Sequence, residues 1–228
     1  MALIQFEAFS DVLGKAFTAH IALPETARGP FPVLWLLHGA GDNGSGWLRH
    51  TAIERQATRR DLALVAPTAG MSMYEDMAHG QRYFTHIADE LPKMLRRLLP
   101  LSDRREDNFI AGLSMGGMGA LKIAMRRPER YSAVCCLSAG HTNYRFHEPG
   151  EGTPRFNRYF IAYGEAGPLP GEEETLERAR ALAESGGPCP RVWHTCGAED
   201  SLKTNAALTR DFFENLPGDP FQYEYHEY

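Results

Sequence analysis

The chain has no apolar run long enough to cross a membrane, because none of its apolar stretches approaches ~18 residues. Its first ten residues, MALIQFEAFS, contain no basic segment and no long apolar core, and so do not resemble a secretory signal. Cysteine is scarce, and the four that occur lack metal-ligand spacing, which suits a reducing compartment. These cysteines are Cys135, Cys136, Cys189 and Cys196. We therefore expect a cytoplasmic protein that does not interact with a membrane.

An excess of positive charge is also missing, which argues against nucleic acid as a partner. The formal net charge is −5, and the arginine pairs are dispersed and fall mostly at expected helix ends. A metal site has little support, because the H-E-x-x-H motif is absent and His141 and His147 have no third ligand in register. The sequence thus predicts neither a metal nor nucleic acid, and it leaves open whether the chain forms a homo-oligomer.

Apolar runs typical of buried strands alternate with helical patterns along the 228 residues, which we expect to form one domain over 1–228. The expected strands are Leu3–Ala8, Ala16–Leu23, Phe31–Gly39, Leu62–Thr68, Asn108–Ala111, Ser132–Leu137, Arg191–Cys196 and the terminal FQYEYHEY. The expected helices are Trp47–Arg59, Gln81–Leu99, Met115–Pro128, Glu172–Glu184 and Leu202–Asn215. This alternation predicts an α/β fold, with a mostly parallel sheet flanked by helices on both faces.

The stretch NFIAGLSMGGMGALKIA, Asn108–Ala124, places one serine among glycines where a buried strand ends and a helix begins. At this G-x-S-x-G corner, Gly112–Gly116, the serine is expected in a strained backbone conformation with its hydroxyl exposed. The flanking glycines have no Cβ to collide where strand and helix converge. A structural glycine-rich turn is the alternative, but the position between strand and helix favours Ser114 as a nucleophile.

Acyl transfer from a serine also needs N–H donors for the oxyanion and a carboxylate that orients a base. The first donor is the N–H of Met115, directly after the serine. The second is expected in the loop HGAGDNGSGW, where we favour the N–H of Ala40, with a simple flexible turn as the alternative. The segment HTCGAED offers Glu199 and Asp200 at the end of a later strand. We favour Asp200 as the acid, the alternative being a cap of the next helix.

Four segments together resemble one known family. They are LLHGAGDNGSGWL, YFTHIADELP, AGLSMGGMGALKIAMRRPERYSAVCCLSAG and CGAEDSL. In order and spacing they are similar to the esterase-D/putative-esterase family of α/β-hydrolases, most of all to its bacterial tributyrin esterases. The resemblance implies the α/β-hydrolase fold, with Ser114 as nucleophile, Asp200 as acid and the N–H groups of Ala40 and Met115 as the oxyanion hole. It also implies hydrolysis of short acyl esters without a metal or an organic cofactor.

The segment 141–187 departs from the regular alternation of strands and helices. Its aromatic residues are Tyr144, Phe146, Phe156, Tyr159, Phe160 and Tyr163. Because it follows the strand beside the nucleophile strand, we expect it to lie over the site as a cap-like excursion and to shape the acyl pocket. The alternative is a surface excursion with its own small apolar cluster.

The histidine of a serine triad belongs, in this fold, on the loop after the last strand. After Asp200 the sequence has a single histidine, His226, in FQYEYHEY. Alternation along that segment puts Glu224 and His226 together on the polar face, as strand residues. We therefore expect the catalytic histidine beyond Tyr228, with His226 as the alternative.

The function that these residues favour is a serine carboxylesterase for short acyl groups, from acetyl to butyryl, acting on a small-molecule ester. Three alternatives stay open. The same scaffold serves S-formylglutathione-type thioesterases and acyltransferases, which share the mechanism. A protein of this fold that lacks part of the catalytic apparatus would instead be a binding protein.

Overall fold

Eight strands form a single sheet in the computed structural model, which describes residues 1–25, 28–142, 154–166 and 169–228. They are β1 Ala2–Ser10, β2 Lys15–Leu23, β3 Val33–Leu37, β4 Ala63–Pro67, β5 Asn108–Leu113, β6 Ala133–Leu137, β7 Arg191–Cys196 and β8 Glu224–Glu227. Their order across the sheet is β1-β2-β4-β3-β5-β6-β7-β8. The pairs β1–β2 and β2–β4 are antiparallel, and all the pairs from β4 to β8 are parallel. The mostly parallel sheet predicted from the sequence is thus present.

Helices cover the sheet on both faces. They are α1 Gly46–His50, α2 Ile53–Thr58, α3 Tyr83–Thr85, α4 Leu91–Leu98, α5 Met115–Arg126, α6 Pro154–Tyr163, α7 Leu169–Ser185 and α8 Lys203–Glu214. Leu36 and Leu64 belong to an apolar cluster with side chains of α1 and α2. Trp35 and Val65, which point to the opposite face, belong to a larger cluster with α4 and α5. Among the described helices, none has the length and apolar character needed to cross a membrane.

The helix expected over Trp47–Arg59 is two short helices instead. Thr51 interrupts them in an extended conformation, with φ −133° and ψ 170°. Its hydroxyl donates to the Trp47 carbonyl at 2.5 Å and accepts from the Ile53 N–H at 3.1 Å. Threonine forms such local bonds readily, and here they end one helix and begin the next.

The amphipathic segment expected over Gln81–Leu99 is helical, but its middle turn, His86–Glu90, is a π-helix. Of the expected apolar face, the core contains Phe84, Ile87, Leu91 and Leu95. Leu98 is an exception, with 62% of its surface exposed, because it ends α4. The face buries a residue that the apolar pattern does not include, His86, which bonds Ser10 and Glu90.

The last expected strand, FQYEYHEY, is shorter than its alternating pattern predicts. Gln222 has a positive φ of 45°, and its N–H donates to the Asp219 carbonyl at 3.1 Å, so a turn precedes β8. The Asp219 side chain accepts the N–H of Tyr223 at 2.9 Å and closes that turn. Asp and Asn side chains favour such turns, and this one delays the start of the strand.

The excursion expected over 141–187 contains α6, a short 3-10 helix Gly164–Ala166 and α7, which includes the expected helix Glu172–Glu184. Two of its aromatic residues, Tyr144 and Phe146, and the side chain of Phe156 lie outside the described part. Tyr159 is buried in the main core, where Tyr163 packs against it, and Phe160 is exposed.

Candidate active site

Ser114 occupies the corner between β5 and α5 in a strained conformation, with φ 54° and ψ −119°. Strand and helix approach so closely there that a Cβ on Gly112 would lie 2.0 Å from the Gly116 carbonyl oxygen. A Cβ on Gly116 would lie 2.2 Å from the carbonyl oxygen of Leu37, on β3. The corner therefore requires glycine at both positions, as expected from the sequence. Within the described residues the half-buried Ser114 hydroxyl has no hydrogen-bond partner, so it is available to a substrate.

The loop after β3 lies against this corner. A Cβ on Gly39 would be 3.7 Å from the Ser114 Cβ and 3.4 Å from the Leu113 carbonyl oxygen. In the described part of the chain, neither the Ala40 N–H nor the Met115 N–H donates to a protein acceptor. The structure thus brings the two expected oxyanion donors to the same edge of the sheet as Ser114, and leaves both without an intramolecular acceptor.

His38, at the start of the same loop, has both ring nitrogens engaged. Its Nε2 accepts the N–H of Ala69 at 2.9 Å, so the proton is on Nδ1, which donates to the Gly39 carbonyl at 2.7 Å. Burial lowers the pKa of His38 below its usual 6.5. His38 is therefore a neutral, packed residue that shapes the loop, and it has no free nitrogen with which to act as a base.

Asp200 follows β7 and belongs to a turn before α8. Its Oδ1 accepts the N–H of Leu202 at 2.7 Å, and its own N–H donates to the Gly197 carbonyl at 3.0 Å. The expected competitor, Glu199, is exposed, whereas Asp200 is half-buried. Burial, followed by the Asp200 carboxylate, raises the pKa of the neighbouring Cys196 thiol to about 11. Asp200 thus satisfies the backbone before α8, and only one of its two oxygens is used for this.

His226 lies on β8 opposite Thr195, with 54% of its side chain exposed. Its ring lies 5.2 Å from that of Trp193, and its Nε2 is 3.5 Å from a Glu224 carboxylate oxygen. Glu224 and His226 do share a face, as the alternation predicts. The structure does not bring His226 to Ser114.

The other histidines near this end of the sheet are also engaged elsewhere. His194 contacts the Ala139 carbonyl and the Tyr223 hydroxyl, each at 2.7 Å. His141 contacts the Thr209 hydroxyl at 2.8 Å, and His147 lies outside the described residues. Among the histidines that the structure describes, none is hydrogen-bonded to Ser114 or Asp200. Nor do three His, Cys, Asp or Glu residues of the described ranges form a metal site.

A small cavity of about 200 Å³ lies beside the oxyanion loop. It is lined by Met71, Ser72, Met77, Gln81, Tyr83 and Ile161. Met71 connects it to the site, because its sulfur accepts the N–H of Gly41 at 3.1 Å. The segment Ala69–Arg82, which we call the methionine loop, was not singled out from the sequence. Its signal is MSMYEDM, directly after a buried strand, at the edge where sites form in parallel sheets.

Helix α6 is attached to the methionine loop by its carboxyl end. The N–H groups of Ala78 and His79 donate to the Ala162 and Ile161 carbonyls, each at 2.9 Å. The His79 ring also stacks on Phe160 with 4.8 Å between centroids. The excursion thus contributes Ile161 to the wall of the cavity, through backbone bonds that the sequence pattern does not reveal.

Comparison with known proteins identifies the family of the chain. The profile of the family described as Putative esterase matches residues 10–214. An acetyl esterase of Caldicellulosiruptor saccharolyticus is 26% identical over 247 aligned residues, which cover 100% of this chain and 90% of that protein. An S-formylglutathione hydrolase of Paracoccus denitrificans (strain Pd 1222) is 31% identical over 152 residues, covering 57% of this chain and 54% of that one.

Solved structures agree with this family. The substrate-bound fluorophosphonate-binding serine hydrolase F (FphF) of Staphylococcus aureus has a TM-score of 0.85 and 26% identity, covering 99% of this chain and 89% of its own. The S-formylglutathione hydrolase FrmB of the same organism has a TM-score of 0.81 and 27% identity, covering 99% and 90%. The α/β-hydrolase fold expected from the resemblance is thereby confirmed. With a parallel sheet of this order and a family profile that spans most of its length, the chain belongs to the Putative esterase family of α/β-hydrolases, a family of serine hydrolases and esterases.

Proposed function

We propose that the chain is a serine carboxylesterase in which Ser114 attacks the carbonyl carbon of a short-chain ester. One observation carries the proposal. The strained serine, with a hydroxyl that has no partner among the described residues, lies beside the unbonded N–H groups of Ala40 and Met115. A nucleophile next to two preorganised donors is the arrangement that stabilises a tetrahedral oxyanion.

The reaction has two halves. In the first, the Ser114 oxygen bonds to the acyl carbon, a base takes the serine proton, and the same proton leaves with the alcohol. The negative charge that develops on the carbonyl oxygen is accepted by the N–H groups of Ala40 and Met115, and losing one such donor typically costs about 10²–10³ in rate. The first half leaves the acyl group on the Ser114 oxygen. In the second, water attacks the acyl carbon, the bond to the Ser114 oxygen breaks, the base passes the water proton to that oxygen, and the acid is released.

Asp200 is the acid of this proposal, and a histidine between Asp200 and Ser114 is the base. Ser114 follows β5 and Asp200 follows β7, so the two strand ends lie roughly 10 Å apart, a gap that one imidazole can bridge. The carboxyl end of β8 lies next to Asp200 in this arrangement, because the Ala198 N–H donates to the Tyr228 carbonyl at 2.7 Å, and the proposal places the imidazole on that side. His226, an exposed residue of β8, is the alternative.

Short acyl groups, from acetyl to butyryl, are the proposed substrates, as in a tributyrin esterase. The cavity beside the oxyanion loop supports this, because about 200 Å³ lined by Met71, Met77 and Ile161 suits a small apolar group. The acetyl esterase relative is named for the smallest of these acyl groups. An acetyl group carried by a sugar is a specific form of the same proposal.

A thioesterase acting on S-formylglutathione is the second candidate. It is favoured by a structural neighbour of that name, FrmB, of which the chain covers 90%. The nucleophile and the oxyanion donors would be the same, so only the leaving group distinguishes the two candidates. An acyltransferase that uses an alcohol in place of water is a third form of the same chemistry.

The excursion 141–187 is proposed to belong to the same single domain, 1–228, and to cap the site. The contact of α6 with the methionine loop supports this arrangement. A cytoplasmic location is also proposed, which suits the four cysteines, all of them free thiols.

The test is hydrolysis of p-nitrophenyl esters of rising acyl length, run beside S-formylglutathione, with Ser114→Ala as the control. The proposal predicts the highest kcat/KM between acetate and butyrate, and none with the control. Preference for S-formylglutathione over every oxygen ester would select the second candidate. A wild type no faster than Ser114→Ala on all substrates would overturn the esterase and thioesterase forms of the proposal.

A further inference from the structure

Three consecutive residues of the methionine loop lie along one face of α5, the helix that begins after Ser114. The Tyr74 ring packs against Gly119, where an added Cβ would be 2.4 Å from a ring carbon. The Lys122 ammonium donates to the Met73 carbonyl at 3.1 Å. Glu75 forms ion pairs with Lys122 and with Arg126. Because positions 119, 122 and 126 share a helix face, the loop is fixed to α5 over two turns.

Tyr74 also reaches the oxyanion loop. Its side chain is fully buried, and its hydroxyl donates to the His38 carbonyl at 2.9 Å. Burial raises the pKa of Tyr74 well above 10, so the hydroxyl keeps its proton at any working pH. The tyrosine therefore connects α5, which carries the Met115 donor, to the segment two residues before Ala40.

The same segment also lies directly against the backbone of α5. A Cβ on Gly116 would lie 2.2 Å from the Leu37 carbonyl oxygen and 2.7 Å from that of His38. The His38 carbonyl is thus held between the backbone of α5 and the Tyr74 hydroxyl. Both contacts lie on the segment that precedes Ala40, and both come from α5, the helix that begins with Met115, or from the loop fixed to it.

The backbone at Met73 and Tyr74 is strained, with φ of 54° and 53°, although neither residue is glycine. Strain of this kind persists only where the surroundings over-determine the conformation. The buried Lys122, with its bonds to Met73 and Glu75, supplies that constraint. The left-handed conformation of Met73 and Tyr74 accompanies the position of the Tyr74 side chain between Gly119 and His38.

We propose that Tyr74 is a positioning residue for the oxyanion hole, and that its hydroxyl holds the His38–Ala40 backbone in place relative to α5. The inference rests on the proposed function for its effect on catalysis. The position of the loop is a separate matter: it can be measured without any substrate, and that part of the inference is independent of the proposed function.

The experiment compares Tyr74→Phe, which deletes one oxygen atom and keeps the ring, with Tyr131→Phe as the matched control. Tyr131 is also buried, but it precedes the amino end of β6, at the opposite edge of the sheet from Ser114. Amide hydrogen exchange is measured by mass spectrometry on a peptide that spans His38–Leu48. Steady-state kinetics with p-nitrophenyl acetate and melting temperatures are measured on the same samples.

Tyr74→Phe is expected to speed exchange in that peptide, and to lower kcat about tenfold with KM changed less than about twofold, because donors that are slightly displaced stabilise the transition state less. Tyr131→Phe is expected to leave the exchange of that peptide and kcat unchanged. The proposal is overturned if the His38–Leu48 peptide exchanges at the same rate in Tyr74→Phe as in wild type. It is also overturned if both variants lose activity in the same proportion to their loss of melting temperature.

Failure of the proposed function is a separate outcome. A wild type no faster than Ser114→Ala on the ester removes the proposed function, and the exchange measurement alone then decides the role of Tyr74. If Tyr74→Phe does not fold, Ser72→Ala replaces it, because the Ser72 hydroxyl accepts the Tyr74 N–H at 3.1 Å. The same local increase in exchange is expected, of smaller size, and unchanged exchange overturns the proposal.

Discussion

The Ser114 N–H donates a hydrogen bond of 2.9 Å to the carbonyl oxygen of Leu137, at the end of the neighbouring strand β6. The Ser114 carbonyl in turn accepts the N–H of Met118 at 3.1 Å, within α5. The strained corner is therefore tied to the sheet on one side and to the helix on the other. These bonds hold a positive φ that serine would otherwise avoid.

This strain predicts that two substitutions of Ser114 differ in their effect on the free energy of unfolding. Ser114→Ala keeps a Cβ at φ 54° and should leave the free energy of unfolding nearly unchanged. Ser114→Gly removes the Cβ and should be about 1 kcal/mol more stable than Ser114→Ala, since glycine tolerates positive φ. Urea denaturation of the two variants measures the difference. Equal stability would mean that the corner is not strained.

A fluorophosphonate should label the wild type covalently, and Ser114→Ala and Ser114→Gly should both lose this labelling. Mass spectrometry of the labelled protein locates the adduct. An adduct on a residue other than Ser114, or one that survives in Ser114→Ala, would contradict the assignment of the nucleophile.

Asp200→Asn should reduce kcat on the order of 10⁴-fold if the carboxylate orients the catalytic imidazole, because an amide favours the wrong tautomer. Glu199→Gln is the matched control, since Glu199 is adjacent and exposed, and it should behave as wild type. Initial rates with p-nitrophenyl acetate give the comparison. Near-normal turnover of Asp200→Asn would leave Asp200 with a structural role, which includes accepting the Leu202 N–H.

Ile161→Ala should shift the preference toward longer acyl groups. Ile161 contributes to the wall of the 200 Å³ cavity, and truncating it adds room for about two or three methylenes, each worth ~0.8 kcal/mol when buried. We expect the ratio of kcat/KM for hexanoate to that for acetate to rise several-fold. Leu208→Ala, on the exposed face of α8, is the control that should leave the ratio unchanged. A ratio that stays constant in Ile161→Ala would place the acyl group elsewhere.

His226→Ala should leave the rate of hydrolysis and of fluorophosphonate labelling within about twofold of wild type. The reason is that the ring packs on Trp193 and faces Glu224, on the exposed side of β8, and an exposed contact of this kind is worth little. Loss of both activities in this variant, at unchanged melting temperature, would identify His226 as the base.

The central fold was accessible from the sequence because its strands are buried on both faces. β3 and β4 are continuous apolar runs, and such runs identify parallel strands without long-range information. The corner at Ser114 was accessible for a similar reason, since only glycine permits the close approach of β5, α5 and β3. In both cases a local pattern has one dominant physical cause.

The features that the sequence did not reveal depend on contacts between distant segments. The methionine loop joins the site through Tyr74 and Met71, which bond to the loop after β3, 36 and 30 residues earlier in the chain. Periodicity carries no information about such contacts. The buried His86 and the turn at Gln222 were missed because local polar bonds outweighed the apolar pattern.

The free energy of unfolding should fall as the pH decreases from about 6.5 toward 4, before most carboxylates are protonated. Burial lowers the pKa of His141 and His194 from 6.5 to about 4, so the folded state keeps both neutral while the unfolded chain binds protons. The unfolded state then holds more protons, and stability is lost as the pH falls through this window. A pKa lowered by this much corresponds to roughly 3 kcal/mol for each histidine once the pH is below both values.

His194→Gln tests this for one of the two groups. Glutamine keeps a donor for the Ala139 carbonyl, which His194 bonds at 2.7 Å, but it does not titrate. The variant should be less stable than wild type at about pH 7, because the glutamine side chain fills the space of the imidazole less well. It should lose less stability than wild type on acidification to about pH 5. His50→Gln, at an exposed position of α1, is the control that should follow the wild type at both pH values. Urea unfolding midpoints give the comparison, and an equal loss in His194→Gln and wild type would show that protonation of His194 does not drive acid unfolding.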